Sequence, residues 1–124
     1  NDDFLVANQI HNALKKEGIF VIDFINMIKA IKNIKKNETK IIDDISFKIS
    51  KSHDNNFLYK NIEFIHKNIE YNFTEKVKIL NKIDFVNIFD KKKFKLLNTF
   101  GDYNLNVFNK NSDRLILIFK KLIN

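Results

Sequence analysis

The sequence predicts an all-α protein of about seven short helices, packed as antiparallel helical hairpins. Apolar residues recur at spacings of three and four along most of the chain, the pattern of amphipathic helices. No Pro and only two Gly interrupt that pattern. With 124 residues, 44% of them hydrophobic, we expect a single helical domain over 1–124, either a repeat-like solenoid or a closed bundle. Because it begins at Asn1 and not Met, we interpret it as a processed or partial chain.

The first three predicted helices are defined by signals at their ends. The first opens at Asp2 and ends before Gly18, a residue that takes the left-handed cap conformation readily. The second covers about 20–36 and has an apolar stripe opposite a Lys- and Asn-rich stripe. The third follows Thr39, an expected N-cap, and runs to Ile49.

Four further helices are predicted after a polar gap. The fourth has the most regular helical stripe of the chain, formed by Leu58, Ile62, Ile65 and Ile69. The fifth opens at Asn72, which forms a variant of the capping box with Glu75. The last three predicted helices run over about 72–85, 90–101 and 112–122.

Two stretches also fit the alternation typical of half-buried strands. The alternating apolar residues are Ile45, Phe47 and Ile49, and then Leu105 and Val107. A small hairpin around Gly101 is therefore the alternative for that part of the chain. An isolated hairpin is marginally stable, so the helical interpretation is preferred.

Composition limits the function classes. The absence of Cys excludes disulfide scaffolds and thiolate chemistry. The net charge of +7 points to polyanionic partners, although Arg114 is the single arginine and the abundance of Lys, Ile, Asn and Phe indicates an AT-rich genome. Uninterrupted apolar runs are far shorter than the roughly 20 residues that a spanning helix needs, so no membrane span is expected.

Part of the chain resembles the heptatricopeptide-type, RAP-associated helical repeats of apicomplexan mitochondrial proteins. Residues 23–49, DFINMIKAIKNIKKNETKIIDDISFKI, are similar to one repeat unit, with Ala30 at the small position and Ile31 after it. Residues 112–124, SDRLILIFKKLIN, are similar to the opening helix of another. The resemblance implies organellar RNA binding or a place in a mitochondrial ribosome, and it adds no catalytic residues.

Catalytic arrangements are scarce, and we expect no enzyme, no cofactor and no metal. Two glycines cannot form the glycine-rich phosphate loops of nucleotide-binding proteins. Glu63, His66 and Glu70 would share one flank of the fourth helix, where a solvated flank is the simpler interpretation. The adjacent Asp43 and Asp44 point about 100° apart on a helix and do not converge.

The basic clusters are the candidate RNA-binding residues. Lysine on phosphate gives salt-dependent binding, and tyrosines at 59, 71 or 103 would stack on bases. The candidates are Asn26, Lys29, Lys32, Asn33, Lys36, Lys91, Lys92, Lys93, Lys95, Lys120 and Lys121.

These observations lead to a functional hypothesis. The chain is expected to be a non-enzymatic RNA-binding component of a mitochondrial ribonucleoprotein, most concretely a lineage-specific mitochondrial ribosomal protein. Its expected partners are RNA, rRNA in particular, and neighbouring proteins of a large assembly. The alternative is a helical protein-interaction subunit of another organellar complex, or a surface helix bundle of an AT-rich pathogen, which would use exposed Phe side chains.

Overall fold

The computed structural model describes residues 2–89, 91 and 93–123, and it shows a mixed α/β chain. About 21% of it is helical and 48% is strand, so the all-α prediction is wrong. The helices are α1 (Asp2–Ala13), α2 (Met27–Lys32) and α3 (Lys82–Ile88). The strands are β1 (Ile19–Ile25), β2 (Asn37–Ile42), β3 (Ile45–His53), β4 (Phe57–His66), β5 (Ile69–Lys78), β6 (Phe94–Phe100) and β7 (Arg114–Lys121).

The chain divides into two compact units, one of residues 1–29 with 80–124 and one of residues 30–79. We call them the first unit and the second unit. The prediction of one domain over 1–124 stays a prediction, while its helical character is wrong.

The first unit contains a three-stranded antiparallel sheet in the order β1-β7-β6. Side chains on one face of β1 lie opposite Leu115, Leu117 and Phe119 of β7, and these three are at most 2% exposed. Ala7 of α1 and Phe85 of α3 join the same core. Burial of these apolar side chains is the main stabilising term of this unit.

Strand β1 replaces the start of the predicted second helix. Its sequence, IFVIDFI, consists mainly of β-branched and aromatic residues, which pack well on a pleated sheet. Such a run also satisfies helical spacing by chance, because nearly every position is apolar. Pairing with β7 stabilises the strand conformation instead, although the paired residues of β7 lie 89 to 101 positions further along the chain.

The second unit contains a four-stranded antiparallel meander in the order β2-β3-β4-β5. Two of its connections are two-residue turns with positive φ at both positions, namely Asp43–Asp44 (50° and 64°) and Lys67–Asn68 (50° and 63°). That geometry matches the right-handed twist of the paired strands, and Asn and Asp tolerate it best among residues with a side chain. The adjacent carboxylates of Asp43 and Asp44 are therefore turn residues.

The two faces of this meander differ in chemistry. One, the aromatic face, carries Phe47, Phe64, Tyr71 and Phe73, whose neighbouring ring centroids lie 4.8 to 6.3 Å apart. The other, the polar face, carries a hydrogen-bonded row of Asn61, Glu63, Asn72 and Thr74. The residues predicted as the fourth and fifth helices thus alternate between two faces, as strand residues do.

The repeat resemblance is contradicted by this fold. Residues 23–49 contain the end of β1, helix α2, strand β2 and part of β3, and residues 114–121 form β7. A helical hairpin therefore exists at neither place, and the solenoid and the closed bundle are both wrong. The predicted third helix, after Thr39 to Ile49, is wrong, because these residues belong to β2, a turn and β3. The alternative strand alternation at 45–49 agrees with β3, and an isolated antiparallel bridge joins Phe100 to Val107 around Gly101.

Two helical predictions are confirmed in part. Helix α1 begins at Asp2 and ends at Ala13, within the predicted first helix. Helix α3 overlaps the predicted fifth helix (about 72–85) only from residue 82 to residue 85, because residues 72–78 belong to β5. Its capping box is formed by Asn81 and Asp84 and not by Asn72 and Glu75. None of the helices in the described part of the chain is long and apolar enough to cross a membrane.

Candidate functional site

The candidate site lies at one edge of the sheet of the first unit. Strands β1 and β6 are both antiparallel to β7, so their carboxyl ends meet at the edge where β7 begins. Residues 26–29 follow β1 there, and residues 101–113 connect β6 to β7. Connections that a rigid sheet holds in position carry binding residues in many proteins.

A charged cluster joins β1, the connection and β7. Arg114 donates from Nε to Oδ1 of Asp23 at 3.0 Å, and its Nη2 forms an ion pair with the same oxygen at 3.0 Å. The phenol of Tyr103 donates to Oδ2 of the same carboxylate at 2.8 Å, and the guanidinium lies 5.9 Å from the Tyr103 ring centroid. Both oxygens of Asp23 are thereby satisfied, and the ring of Tyr103 is held in place although the residue is 70% exposed.

The electrostatics of this cluster act on the phenol. The hydrogen bond to the Asp23 carboxylate raises the pKa of Tyr103 above its usual value, and desolvation adds to the rise while Arg114 opposes it. Tyr103 is therefore protonated at neutral pH and presents a hydrogen-bond donor that is already engaged.

The buried side chain of Asn26 holds the connection 101–113 in place. It is 2% exposed, and its Nδ2 donates to the carbonyls of Ser112 (2.8 Å), Lys110 (3.1 Å) and Asn109 (3.4 Å). Its Oδ1 accepts from the backbone N–H of Ile28 at 3.2 Å. One buried amide thus ties the end of β1 to the segment that precedes β7, as buried polar groups require partners.

The tip of the connection is held by Asp102. Its carboxylate accepts from the backbone N–H of Asn104 (2.9 Å) and from the backbone and side-chain N–H of Asn106 (3.2 and 2.9 Å). These bonds lower the pKa of Asp102, the side chain of Asn106 most of all. Leu105 adopts a left-handed φ of 61° within this tip, a strained conformation for a branched residue.

The tip exposes apolar side chains beside the charged cluster. Tyr103, Leu105 and Val107 are 70%, 59% and 79% exposed. An ordered segment that presents three apolar side chains next to a charged pair can bind a molecule with an apolar body and a polar group.

A second concave region lies in the second unit. It has a volume of about 590 Å³ and is open to solvent. The residues around it include Asp44, Ser46, Lys48, Glu63 and Glu70. Glu63 and Glu70 lie on the polar face of the meander, whereas His66 lies on the aromatic face, so the predicted three-residue flank does not form. In the described residues no three His, Cys, Asp or Glu side chains are grouped to hold a metal ion.

The predicted RNA-binding residues do not form the expected helix face. Helix α2 ends at Lys32, so Lys36 lies outside it and Asn33 lies in the turn that follows. Asn26 is buried, and Lys29 pairs with Asp113. Lys92 lies outside the described residues.

The basic residues of β6 and β7 do come together. Lys95 lies opposite Lys120, and Lys91 and Lys93 precede β6. Lys120 also lies 3.9 Å from Glu17. Lys121 is 4% exposed and donates from Nζ to the carbonyls of His11 (2.6 Å) and Leu14 (2.8 Å), at the end of α1. RNA contact by these lysines stays a prediction.

Sequence reasoning missed Asp23 and Arg114 as site residues, and it named Tyr103 only as a base-stacking candidate. One signal was present, because Arg114 is the single arginine among 22 basic residues. A guanidinium binds a carboxylate with two donors of fixed geometry, which lysine cannot do. An arginine retained against a strong lysine bias therefore indicates a specific partner.

No family model and no curated protein matches the sequence. Two solved structures share the fold, the CcbJ methyltransferase of Streptomyces caelestis and a S-adenosylmethionine-dependent methyltransferase of Clostridium acetobutylicum. The TM-scores are 0.77 and 0.74, at 13% and 11% sequence identity. The matches cover 95% and 98% of this chain but 52% and 55% of those chains, so this chain spans about half the length of the structures it matches.

These neighbours correct the functional hypothesis. The hypothesis of a non-enzymatic mitochondrial ribosomal protein depends on the basic charge, the lack of catalytic motifs and the repeat resemblance. It is contradicted by a fold shared with two proteins described as methyltransferases. The same likeness contradicts the expectation that the chain is not an enzyme. The two alternatives, a helical interaction subunit and a surface helix bundle, are wrong because the chain is not all-α.

Proposed function

We propose that this chain is the acceptor-binding portion of a methyltransferase. The observation that carries the proposal is the likeness to two methyltransferases over 95% and 98% of the chain, with both units included. A fold by itself does not determine a reaction, so the proposal also depends on the site. That site is the sheet edge with Asp23, Tyr103 and Arg114.

The sheet edge has the properties expected of an acceptor site. The connection 101–113 is fixed by the buried Asn26 and by the bonds to Asp102. Such fixation lowers the entropic cost of binding, because the exposed side chains are ordered in advance. Tyr103 and Leu105 would contact the apolar body of the acceptor, and the guanidinium of Arg114, held in place by Asp23, would orient its polar group.

Among the described residues, the two glycines and Asp23 do not by themselves provide a site for S-adenosylmethionine. Nucleoside cofactors commonly need glycines that let the ligand approach the backbone. Here a Cβ at Gly18 would lie 2.7 Å from the Lys15 carbonyl oxygen, and one at Gly101 would lie 2.1 Å from Ser112 Oγ, so protein atoms fill both spaces. The Asp23 carboxylate is already engaged on both oxygens. In this proposal the methyl donor is held by residues other than these.

Methyl transfer by the native polypeptide that carries this chain tests the proposal. The polypeptide is incubated with methyl-labelled S-adenosylmethionine and an extract, and labelled small molecules are separated from labelled macromolecules by ultrafiltration. We expect label in one fraction, and a Tyr103→Ala variant is expected to raise the acceptor concentration needed for half-maximal labelling by about tenfold. Asn104→Ala, a change at a neighbouring exposed position, is the matched control.

Two results would contradict the proposal. One is the absence of label in both fractions together with no binding of S-adenosylmethionine in equilibrium dialysis. The other is labelling that responds equally to Tyr103→Ala and Asn104→Ala, since the ring of Tyr103 would then contribute nothing to acceptor binding.

A further inference from the structure

Strand β5 leaves a long backbone edge without a partner among the described strands. It has ten residues and is hydrogen-bonded to β4 on one side only. Nine of the ten residues are exposed, and Ile69 and Phe73 are 56% and 53% exposed. An extended exposed edge with apolar residues is a template for pairing with another strand, and natural proteins usually protect such edges with Pro, bulges or short length. The register with β4 is regular from end to end, so β5 has no Pro, no bulge and no short length. Its charged residues, which usually also protect an edge, are Glu70, Glu75, Lys76 and Lys78, so a partner strand must match their charges.

The sequence of β5 is complementary to itself when two copies run antiparallel. With Phe73 on the two-fold axis, Glu70 lies opposite Lys76 of the second copy, and this pair occurs twice. Residues opposite each other in an antiparallel pair share a face, so both carboxylate–ammonium pairs lie on the polar face. On the aromatic face Ile69 lies opposite Val77, and both are exposed.

The other edge of the meander, β2, is a weaker candidate. It has six residues against ten in β5. Its one acidic residue, Glu38, already interacts with Lys40 at 3.4 Å and Lys35 at 4.0 Å. Pairing of β2 with β5 would also be heterologous, which leads to open chains of subunits, whereas pairing of β5 with β5 closes as a dimer.

We infer that β5 is a homodimerisation strand that pairs antiparallel with β5 of a second copy, centred on Phe73. Main-chain hydrogen bonds supply affinity, and the Glu70–Lys76 pairs fix the register. The meanders of the two copies then form one continuous antiparallel sheet. This inference concerns assembly and does not depend on the methyltransferase proposal.

Charge reversal tests the register. Sedimentation velocity of the purified chain is measured over a concentration series for the unchanged sequence, for Glu70→Lys and for Lys76→Glu. The unchanged chain is expected to dimerise, and each variant is expected to weaken self-association by about 10- to 100-fold, because two attractive pairs become two repulsive ones. An equimolar mixture of the two variants restores both attractive pairs and is expected to dimerise like the unchanged chain.

Control variants distinguish a specific loss of β5 pairing from misfolding of the chain. Ile41→Lys changes an exposed apolar residue of β2 and is expected to leave the dimer intact. Lys76 lies 4.0 Å from the Phe57 ring centroid, so the melting temperature of each variant is measured as well. If Lys76→Glu fails to fold, amide hydrogen exchange of the unchanged chain provides the test, with protection of β5 that grows with protein concentration.

Three outcomes would overturn the inference. They are a monomer at all concentrations, a dimer that Ile41→Lys disrupts while Glu70→Lys does not, and a mixture of folded variants that stays monomeric. Exchange in β5 that is independent of protein concentration would have the same meaning as the first.

Discussion

The phenol of Tyr103 donates a 2.8 Å hydrogen bond to the carboxylate of Asp23, a residue 80 positions earlier in the sequence. The bond joins strand β1 to the connection between β6 and β7. Arg114 donates to the other oxygen of the same carboxylate, Oδ1. An ordered, exposed ring at a sheet edge follows from this arrangement. It is the feature of the first unit that most directly suits ligand binding.

Removing the Asp23 charge should lower the pKa of Tyr103. The folded-state pKa of Tyr103 is raised first by this hydrogen bond, so its stabilisation is fully present below the unfolded pKa and is lost as pH rises through the folded pKa. In Asp23→Asn we expect the phenol to ionise closer to its usual pH. Near-ultraviolet absorbance against pH measures this, with Tyr103→Phe identifying the contribution of this ring. Asp113→Asn, whose carboxylate pairs with Lys29, should leave the titration unchanged.

Acid should open the β3–β4 turn before the strands separate. Asp54 accepts from the backbone N–H groups of Asn56 and Phe57, both at 2.7 Å, and from the Tyr59 phenol at 2.9 Å, and these bonds lower its pKa. A depressed folded pKa gives stability above the unfolded pKa that is lost as pH falls through the folded pKa. The protection factors of the Asn56 and Phe57 amides, which are measured by NMR and correct for the slower intrinsic exchange in acid, should therefore fall as Asp54 is protonated. In Asp54→Asn the protection factors of these two amides should be low already at neutral pH. Equal protection in both proteins would contradict the role of Asp54 in holding the turn.

Truncation of Asn26 should destabilise the first unit. Asn26→Ala leaves the carbonyls of Asn109, Lys110 and Ser112 without this donor, and we expect a loss of about 2 kcal/mol in the free energy of unfolding. Urea denaturation measures it. The exposed Asn33 is the control, for which Asn33→Ala should cost less than about 0.5 kcal/mol. Similar losses for both variants would mean that the buried amide has no special role.

Gly101 should not accept a side chain. A Cβ there would lie 2.1 Å from Ser112 Oγ and 2.5 Å from Ser112 Cβ, so the connection must shift. We expect Gly101→Ala to lower the free energy of unfolding by about 1–3 kcal/mol, as overpacking does. Thermal denaturation of Gly101→Ala beside Asn104→Ala, a change in the same connection with no such contact, makes the comparison. An unchanged melting temperature in Gly101→Ala would show that the connection has room.

Adjacent lysines of β7 should differ in their contribution to stability. Lys121 is buried and donates to the last carbonyls of α1, whereas Lys120 is partly exposed near Glu17. Lys121→Met should therefore cost about 1–3 kcal/mol, because it leaves buried carbonyls unpaired and removes a cation from a helix C-terminus. Lys120→Met should cost less than about 1 kcal/mol, the usual size of a surface ion pair. Chemical denaturation of the two variants distinguishes them, and equal costs would be inconsistent with the capping role.

The sequence by itself determined local features. Acidic residues at positions 2 and 3 and a helical stripe after them place α1, as the structure confirms. The alternation at Ile45, Phe47 and Ile49 also signals β3, but the preferred helical interpretation is wrong there. The absence of Cys and the charge of +7 are also properties of the sequence alone. These features depend on neighbours within a few residues, which periodicity detects.

The tertiary structure alone decided the fold class and the site. Segments such as 19–25 and 69–78 satisfy helical and strand spacing equally well, because Ile and Phe fill most of their apolar positions, and only pairing with strands elsewhere selects the strand. The site has the same origin, since Asp23, Tyr103 and Arg114 meet across 80 or more positions. Hydrogen bonds between residues so far apart produce no periodic pattern in the sequence, so they can be identified only once β1 and β7 are paired.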